Sequence, residues 1–315
     1  MENVKLCYDN FGSPCDALRM EKEHIKTHLE DDKVIVKMLE VPINPSDLIP
    51  VTGAYKHRIT LPQVAGYEGV GEIILAGAKK KHWLGKRVLP LRKQGTWQKF
   101  IKSNPKWFVE VPANIKTSIA ARAYINPLTA KIMLTKWPVY NKNVLITAAG
   151  SFFSTFMIQW AVKAGANKVI GVYRNPKHIA SISGLGATPI ALNSINEIIA
   201  EASDTDICFD AVGGSLADTM LKNIRAGTSF VSYGLLSGAQ ISYTNTKAKL
   251  EQFHLRHWLQ DTNTAEWDTH FDEIWNLLVD TYIPDVDYFD FQDWPAAIKE
   301  SKTSGRRRKS VLRFE

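Results

Sequence analysis

Between Glu110 and Glu197 the chain contains no aspartate or glutamate, so a ligand held by that stretch meets no carboxylate nearby in sequence. Cysteine is scarce as well. Cys7, Cys15 and Cys208 are the only three, too few for a disulfide framework or a four-thiolate zinc site, which points to a reducing compartment such as the cytoplasm. No run of 18 apolar residues and no basic, apolar, small-residue leader is visible, so neither a membrane span nor a secretory signal is expected. The net charge of +7, from 39 basic and 32 acidic residues, is a modest excess that suits an anionic small molecule as well as nucleic acid. Its densest piece, Arg306-Arg-Arg-Lys309, reads as a solvated surface turn, and with no nucleic-acid motif around it neither DNA nor RNA is an expected partner.

At 315 residues the chain exceeds the size at which one core usually stops growing, so two domains are expected. The first hundred residues read as short strands (Lys33 to Leu39, Gly69 to Leu75, Lys86 to Leu91) broken by Pro42, Pro45, Pro62 and several glycines. From Asn143 the pattern changes to alternation, with strands expected at 143–148, 168–173, 188–192, 206–211 and 228–233 and helices at 152–164, 176–183, 194–202 and 215–225. Such alternation predicts a parallel sheet with helices on both faces. Phe152, Phe153, Phe156, Met157 and Trp160 fall close to a helical stripe and read as packing residues. An aromatic, helix-like stretch from Phe253 to Val279 follows, then a β-like end at Val311 to Phe314.

The acid-free stretch has a strand, a tight turn and a helix at its centre, Asn143-Val-Leu-Ile-Thr-Ala-Ala-Gly150-Ser-Phe. In such a unit a pyrophosphate sits on the helix N-terminus, and a carboxylate some 20 residues on receives the ribose 2′-hydroxyl. Here the next strand ends in Arg174-Asn-Pro-Lys177. A guanidinium there suits a 2′-phosphate, because its planar donors pair phosphate bidentately. The plainer alternative is a solvated basic loop. On the first reading Gly150 and Ser151 present amides to the pyrophosphate while Arg174 and Lys177 meet the 2′-phosphate, making NADPH the cofactor.

The chain resembles the medium-chain dehydrogenase/reductase superfamily over essentially its whole length. The motifs are Asn44-Pro-Ser-Asp47, Thr52-Gly-Ala-Tyr55, Leu61-Pro-Gln-Val-Ala-Gly66-Tyr-Glu68-Gly-Val-Gly71, Ile125-Asn-Pro-Leu-Thr-Ala130, Ala211-Val-Gly-Gly214, Ser232-Tyr-Gly234 and Leu255-Arg-His-Trp-Leu259. The resemblance implies an α/β chain in which a Rossmann doubly wound parallel sheet accompanies a β-rich GroES-like catalytic domain, with boundaries expected at 1–118, 119–254 and a return segment 255–315 completing the first domain. In zinc-using members the Asn44 and Tyr67 positions hold a metal-binding cysteine and histidine. Neither residue is a zinc ligand, and the four-cysteine lobe is missing, so no metal residue is expected. Within the zinc-free branch the chain is similar to 2-enoyl thioester reductases and to quinone oxidoreductases, implying an NADPH-dependent reductase of an enoyl thioester, or of a quinone or alkenal, acting as a homodimer.

By the same resemblance Tyr55 is the candidate catalytic residue, a phenol that protonates or orients the enolate, with a plain pocket wall as the other reading. Asn44 is the second catalytic candidate, as the amide beside the nicotinamide; a loop-capping Asn before Pro45 is its alternative. Asp47 and Glu68 read as supports. Val212, Gly213, Gly214, Tyr233 and Gly234 are expected to line the nicotinamide, and Lys309 to reach the pyrophosphate. Phe152 and Ser154 depart from the small residues of the family's glycine turn, which keeps a non-catalytic NADPH-binding protein as a further reading.

Overall fold

The strand Val34–Pro42 is apolar almost end to end, and Val34, Ile35, Val36, Met38 and Val41 are fully buried. That pattern belongs to a strand covered on both faces and paired along both edges. It runs antiparallel to Val70–Ala76 along one edge, and to Phe100–Ser103 and Lys309–Arg313 along the other. The full order of this seven-stranded sheet is Val286–Asp290, Lys309–Arg313, Val34–Pro42, Val70–Ala76, Arg87–Pro90 and Phe108–Glu110, with Phe100–Ser103 off the main path. A three-stranded sheet centred on Glu2–Tyr8 packs its Leu6 and Tyr8 into the same core as Trp97, Ile43 and Leu312. The computed structural model describes residues 1–92 and 95–314.

These strands belong to the first of two units, which comprises Met1–Ile125, Asn263–Val279 and the segment from Pro284 onward. The second unit comprises Asn126–Thr262 and Asp280–Ile283. It is a six-stranded parallel sheet in the order Thr188–Ala191, Lys168–Tyr173, Asn143–Ile146, Ile207–Asp210, Ser229–Ser232, Lys249–Gln252. The order reverses between Asn143–Ile146 and Ile207–Asp210, and at such a switch point the two following loops diverge and leave a crevice. Helices Phe152–Lys163, Ile179–Gly184, Ile195–Ser203 and Gly214–Asn223 connect the strands. The GroES-like β-rich domain and the Rossmann sheet are thus both present.

Five of the six parallel strands fall where the alternation of strand with helix places them. The sixth, Lys249–Gln252, is a short edge strand of mixed polarity, and an edge strand needs no continuous apolar run. The expected helix 176–183 begins as a single tight turn, Pro176–His178, before Ile179–Gly184. In the aromatic helix Phe156 and Trp160 are buried as expected, while Phe152 and Phe153 are only half-buried. The basic run near the end is solvated only in part: Arg307 and Arg308 are exposed, Arg308 pairing with Asp287 and Asp285 at 3.2 and 3.4 Å, while Lys309 is buried as the first residue of a strand.

Gly66 is among the glycines of the first unit that leave no room for a side chain. Gly66 has φ +90°, and a Cβ built on it would lie 2.2 Å from Cδ1 of the fully buried Trp97. We expect Gly66→Ala to cost about 2–5 kcal/mol, adding left-handed backbone strain to overpacking. Urea unfolding of the two proteins measures it, and an unchanged midpoint would refute this account.

Candidate active site

The turn that follows Val34–Pro42 carries the first group of candidate residues. Asn44 stands at the N-terminus of the single-turn helix Pro45–Leu48, and its backbone N–H donates to Asp47 Oδ2 at 2.7 Å. Asp47 Oδ1 accepts the backbone N–H of Tyr67 at 2.9 Å, which ties this turn to the Gly66-Tyr67-Glu68 turn. Glu68 Oε1 accepts from Asn44 Nδ2 at 2.6 Å, and Glu68 Oε2 accepts the N–H groups of Ile125 and Tyr124 at 2.8 and 3.3 Å. Lys309 Nζ donates to Asn44 Oδ1 at 2.6 Å. Asn44, Asp47, Glu68 and Lys309 each expose 2% or less of their surface.

This arrangement bears on two sequence expectations. Asn44 has both ends of its amide engaged inside the protein, the nitrogen by a carboxylate and the oxygen by an ammonium, so it orders the turn. Lys309, expected at a pyrophosphate, has its ammonium in this buried cluster instead. Burial raises the Asp47 and Glu68 carboxyls and lowers the Lys309 ammonium, and the opposite charges of the cluster work against each of these shifts. A carboxyl raised in this way favours the folded state while protonated, and that contribution is lost as the pH rises and the carboxyl ionises. The supporting roles expected of Asp47 and Glu68 match their hydrogen bonds.

Tyr55 lies eleven residues beyond Asn44, half-buried at the start of the turn Lys56–Arg58. The Arg58 guanidinium stacks over its ring at 3.9 Å from the centroid, an attraction of about 0.5–1 kcal/mol at an exposed site. Tyr67 is 45% exposed. The donor set here does not suit Zn²⁺: the carboxylates are engaged by backbone N–H groups and by an amide, an ammonium stands among them, and no three His, Cys, Asp or Glu side chains gather into a metal site among the described residues.

The second group surrounds the switch point of the parallel sheet. Ser151 caps the helix Phe152–Lys163, its hydroxyl accepting the N–H of Ser154, whose own hydroxyl donates to Ala148 O at 3.0 Å. Ala148 is held at φ +52°, so the buried Ser154 steadies a turn that a non-glycine residue makes at a cost. The Ser151 N–H is itself spent on Ala148 O at 2.9 Å, leaving its hydroxyl, not its amide, as the part that shapes the turn. Gly150 is closely approached by the His178 ring, 2.6 Å from where a Cβ would stand. Arg174 and Lys177 are exposed beyond the strand Lys168–Tyr173.

Sequence reasoning missed Asp210 and Thr147. Asp210 ends an otherwise apolar strand, is fully buried, and accepts from Thr147 Oγ1 at 2.8 Å and from the N–H groups of Gly213 and Val212 at 2.9 and 3.1 Å. Thr147 Oγ1 in turn accepts the Ala211 N–H at 2.8 Å. This pair therefore joins the glycine turn to the Ala211–Gly214 loop across the switch point. A single acid closing an apolar strand, with only Ala211-Val212 between it and Gly213-Gly214, was the available signal. Gly213, at φ +70°, would place a Cβ 2.8 Å from Ala239 O, so it lets two loops pack main chain to main chain. Tyr233 rests its ring 4.7 Å from that of Phe153, and burial together with the Asp210 charge pushes its phenol far up. Gly234 meets Ala211 in the same loop packing.

With this geometry in view, the relatives are informative. The zinc-binding dehydrogenase family matches residues 154–275, and the alcohol dehydrogenase GroES-like domain matches residues 30–113. A putative NADPH:quinone reductase from Bacillus thuringiensis is 33% identical, with 99% of each chain covered at a TM-score of 0.93. The mitochondrial enoyl-[acyl-carrier-protein] reductase of Arabidopsis thaliana is 27% identical over 330 residues, 98% of this chain and 88% of that protein. A complex of Etr1p with NADP and crotonyl-CoA shares the fold at a TM-score of 0.86 and 21% identity over 99% and 100% of the two chains. The zinc in the first family's description has no matching donor set among the described residues. Fold, motif order and these likenesses agree: the chain belongs to the zinc-free branch of the medium-chain dehydrogenase/reductase superfamily.

Proposed function

We propose that the protein is an NADPH-dependent reductase of activated carbon–carbon double bonds, acting on trans-2-enoyl thioesters. The observation that carries the cofactor half is the exposed Arg174 and Lys177 at the end of the second parallel strand, in a stretch without a single acid. A second reading, reduction of quinones, is favoured by the 33% identity to a putative quinone reductase. NADPH, when bound, supplies the hydride. The residues suited to hold it are the Gly150–Ser151 turn with the capped helix behind it, Arg174 and Lys177 for the 2′-phosphate, and the Val212–Gly214 and Tyr233–Gly234 loops for the nicotinamide.

The protein must then place the substrate and manage a proton. Tyr55 suits this role, being half-buried and held by Arg58, with a phenol able to donate to the oxygen on which negative charge develops as an enolate forms. The buried cluster of Asn44, Asp47, Glu68 and Lys309 fixes the turn from which the Tyr55 segment leaves. We further place the protein in a reducing compartment, the cytoplasm, supported by its three unpaired cysteines, and assign it a homodimeric state, supported by the edge strand Lys249–Gln252 with its 40%-exposed Leu250.

Replacing Arg174 by alanine should erode the preference for NADPH over NADH by about 1–3 kcal/mol, the scale of a charge-assisted hydrogen bond. Calorimetry with both cofactors reads this, and equal affinities in the unmodified protein would end the cofactor assignment. Metal analysis of the purified protein should find no stoichiometric zinc, and EDTA should leave turnover unchanged; one zinc per chain with activity lost on chelation would contradict the zinc-free reading. Tyr55→Phe should lower kcat on a trans-2-enoyl thioester by roughly 10²-fold or more with NADPH affinity hardly altered, the range for a general acid or oxyanion donor. Unaltered kcat in that variant would make Tyr55 a pocket wall, and no turnover of any thioester or quinone by the unmodified protein would favour a non-catalytic NADPH-binding role.

A further inference from the structure

Lys309 lies 265 residues from Asn44 in sequence, yet its ammonium is 2.6 Å from the Asn44 amide oxygen. The groups facing it come from several segments: Asp47 from the turn after Val34–Pro42, Glu68 from the Gly66–Glu68 turn, Arg122 from the segment before Ile125, and Arg306 from the approach to its own strand. Arg122 is held by carbonyl oxygens, donating to Ser118 O and to Pro284 O at 2.7 Å each. The two carboxylates accept hydrogen bonds from Asn44 N–H, Asn44 Nδ2, Tyr67 N–H and Ile125 N–H. Each of these bonds is strongest when the acceptor is ionised, and two ionised carboxylates in a dry pocket repel one another. Lys309 supplies the cation in direct contact with this network, through Asn44.

We propose that Lys309 is a positioning residue for this site: its ammonium balances the Asp47 and Glu68 carboxylates and locks the Asn44 amide, which holds the turn leading to Tyr55 in its working geometry. The proposal rests on the reductase reading for its activity readout alone. Chain geometry makes it specific. The Asn44 amide has one orientation in which its oxygen meets an ammonium and its nitrogen meets a carboxylate, and reversing the amide would set donor against donor and acceptor against acceptor. Without the ammonium the amide loses that discrimination, and the carboxylates take up a proton to restore the charge balance.

The test compares Lys309→Met with Lys309→Arg in three measurements: thermal unfolding from pH 5.5 to 8.5, NADPH affinity by titration, and steady-state kcat and KM over the same pH range. In Lys309→Met the carboxyls rise further, so the sign is set: the variant is closest to the unmodified protein at low pH and loses both stability and kcat as the pH rises. We expect kcat at pH 8 to fall about 10-fold or more relative to the unmodified protein, a shift of one pKa unit or greater. The deficit should shrink at pH 5.5, NADPH affinity should stay within about twofold, and Lys309→Arg should recover most of the loss because the charge is retained.

NADPH affinity weakened about 10-fold with kcat intact would instead mark a phosphate contact and overturn the proposal. So would an equal kcat loss at every pH without recovery in Lys309→Arg, the pattern of plain packing. If Lys309→Met does not fold, the charge-balanced Glu68→Gln/Lys309→Met protein decides the matter: folding without the alkaline loss supports the proposal, and failure to fold or the same loss refutes it. The unfolding and NADPH measurements need no substrate, so failure of every thioester and quinone would refute the proposed function while leaving Lys309 tested on stability.

Discussion

Two carboxylates, one amide and one ammonium occupy a volume from which water is excluded, and the first unit is arranged around making that tolerable. An isolated buried charge costs several kcal/mol even after relaxation, so each group here must find its partner inside the protein. Asp47 and Glu68 do so by accepting main-chain N–H groups of neighbouring turns, and Lys309 does so through the Asn44 amide. The result is that the turn after Val34–Pro42, the Gly66–Glu68 turn and the chain at Tyr124–Ile125 are tied to one another by polar groups with few alternative geometries. An apolar cluster would bind the same segments with less directional control.

The second unit solves a related problem with one acid. Its sheet reverses order beside Asn143–Ile146, where two loops must separate and yet keep fixed shapes. Asp210 holds both, bonding Thr147 on one side and the N–H groups of Val212 and Gly213 on the other. The glycine turn and the strand after it carry no carboxylate of their own, and Arg174 and Lys177 beyond that strand are exposed. The buried acid that shapes main chain and the exposed bases Arg174 and Lys177 are thus on different segments, the acid being satisfied by hydrogen bonds inside the protein.

Much of this was legible beforehand. The alternation of apolar strand and amphipathic helix from Asn143 to Ser232 reports local hydrogen bonding and burial, and the strands sit within a residue or two of the expected bounds. Glycines were legible as positions but not as reasons: Gly213 and Gly234 serve the packing of one loop on another, and Gly150 is crowded by His178. The departures at Phe152 and Ser154 were visible, but only the three-dimensional turn shows Ser154 steadying the strained Ala148. The Lys249–Gln252 strand was silent because an edge strand carries no periodic apolar signal.

The sequence by itself determined the two kinds of sheet, the place of the glycine turn, the absence of acids around it and the cations that follow. These are properties of windows a few residues to a few tens of residues long, where backbone geometry and side-chain period leave their mark. Only the tertiary structure decided that Lys309 meets Asn44 and that Asp210 meets Thr147. The register of Lys309–Arg313 against Val34–Pro42 is chosen by the burial of whole strands, and the polar partners are whichever groups that register brings within hydrogen-bonding reach. A basic run therefore reads the same in sequence whether its last lysine faces water or, as here, two buried carboxylates.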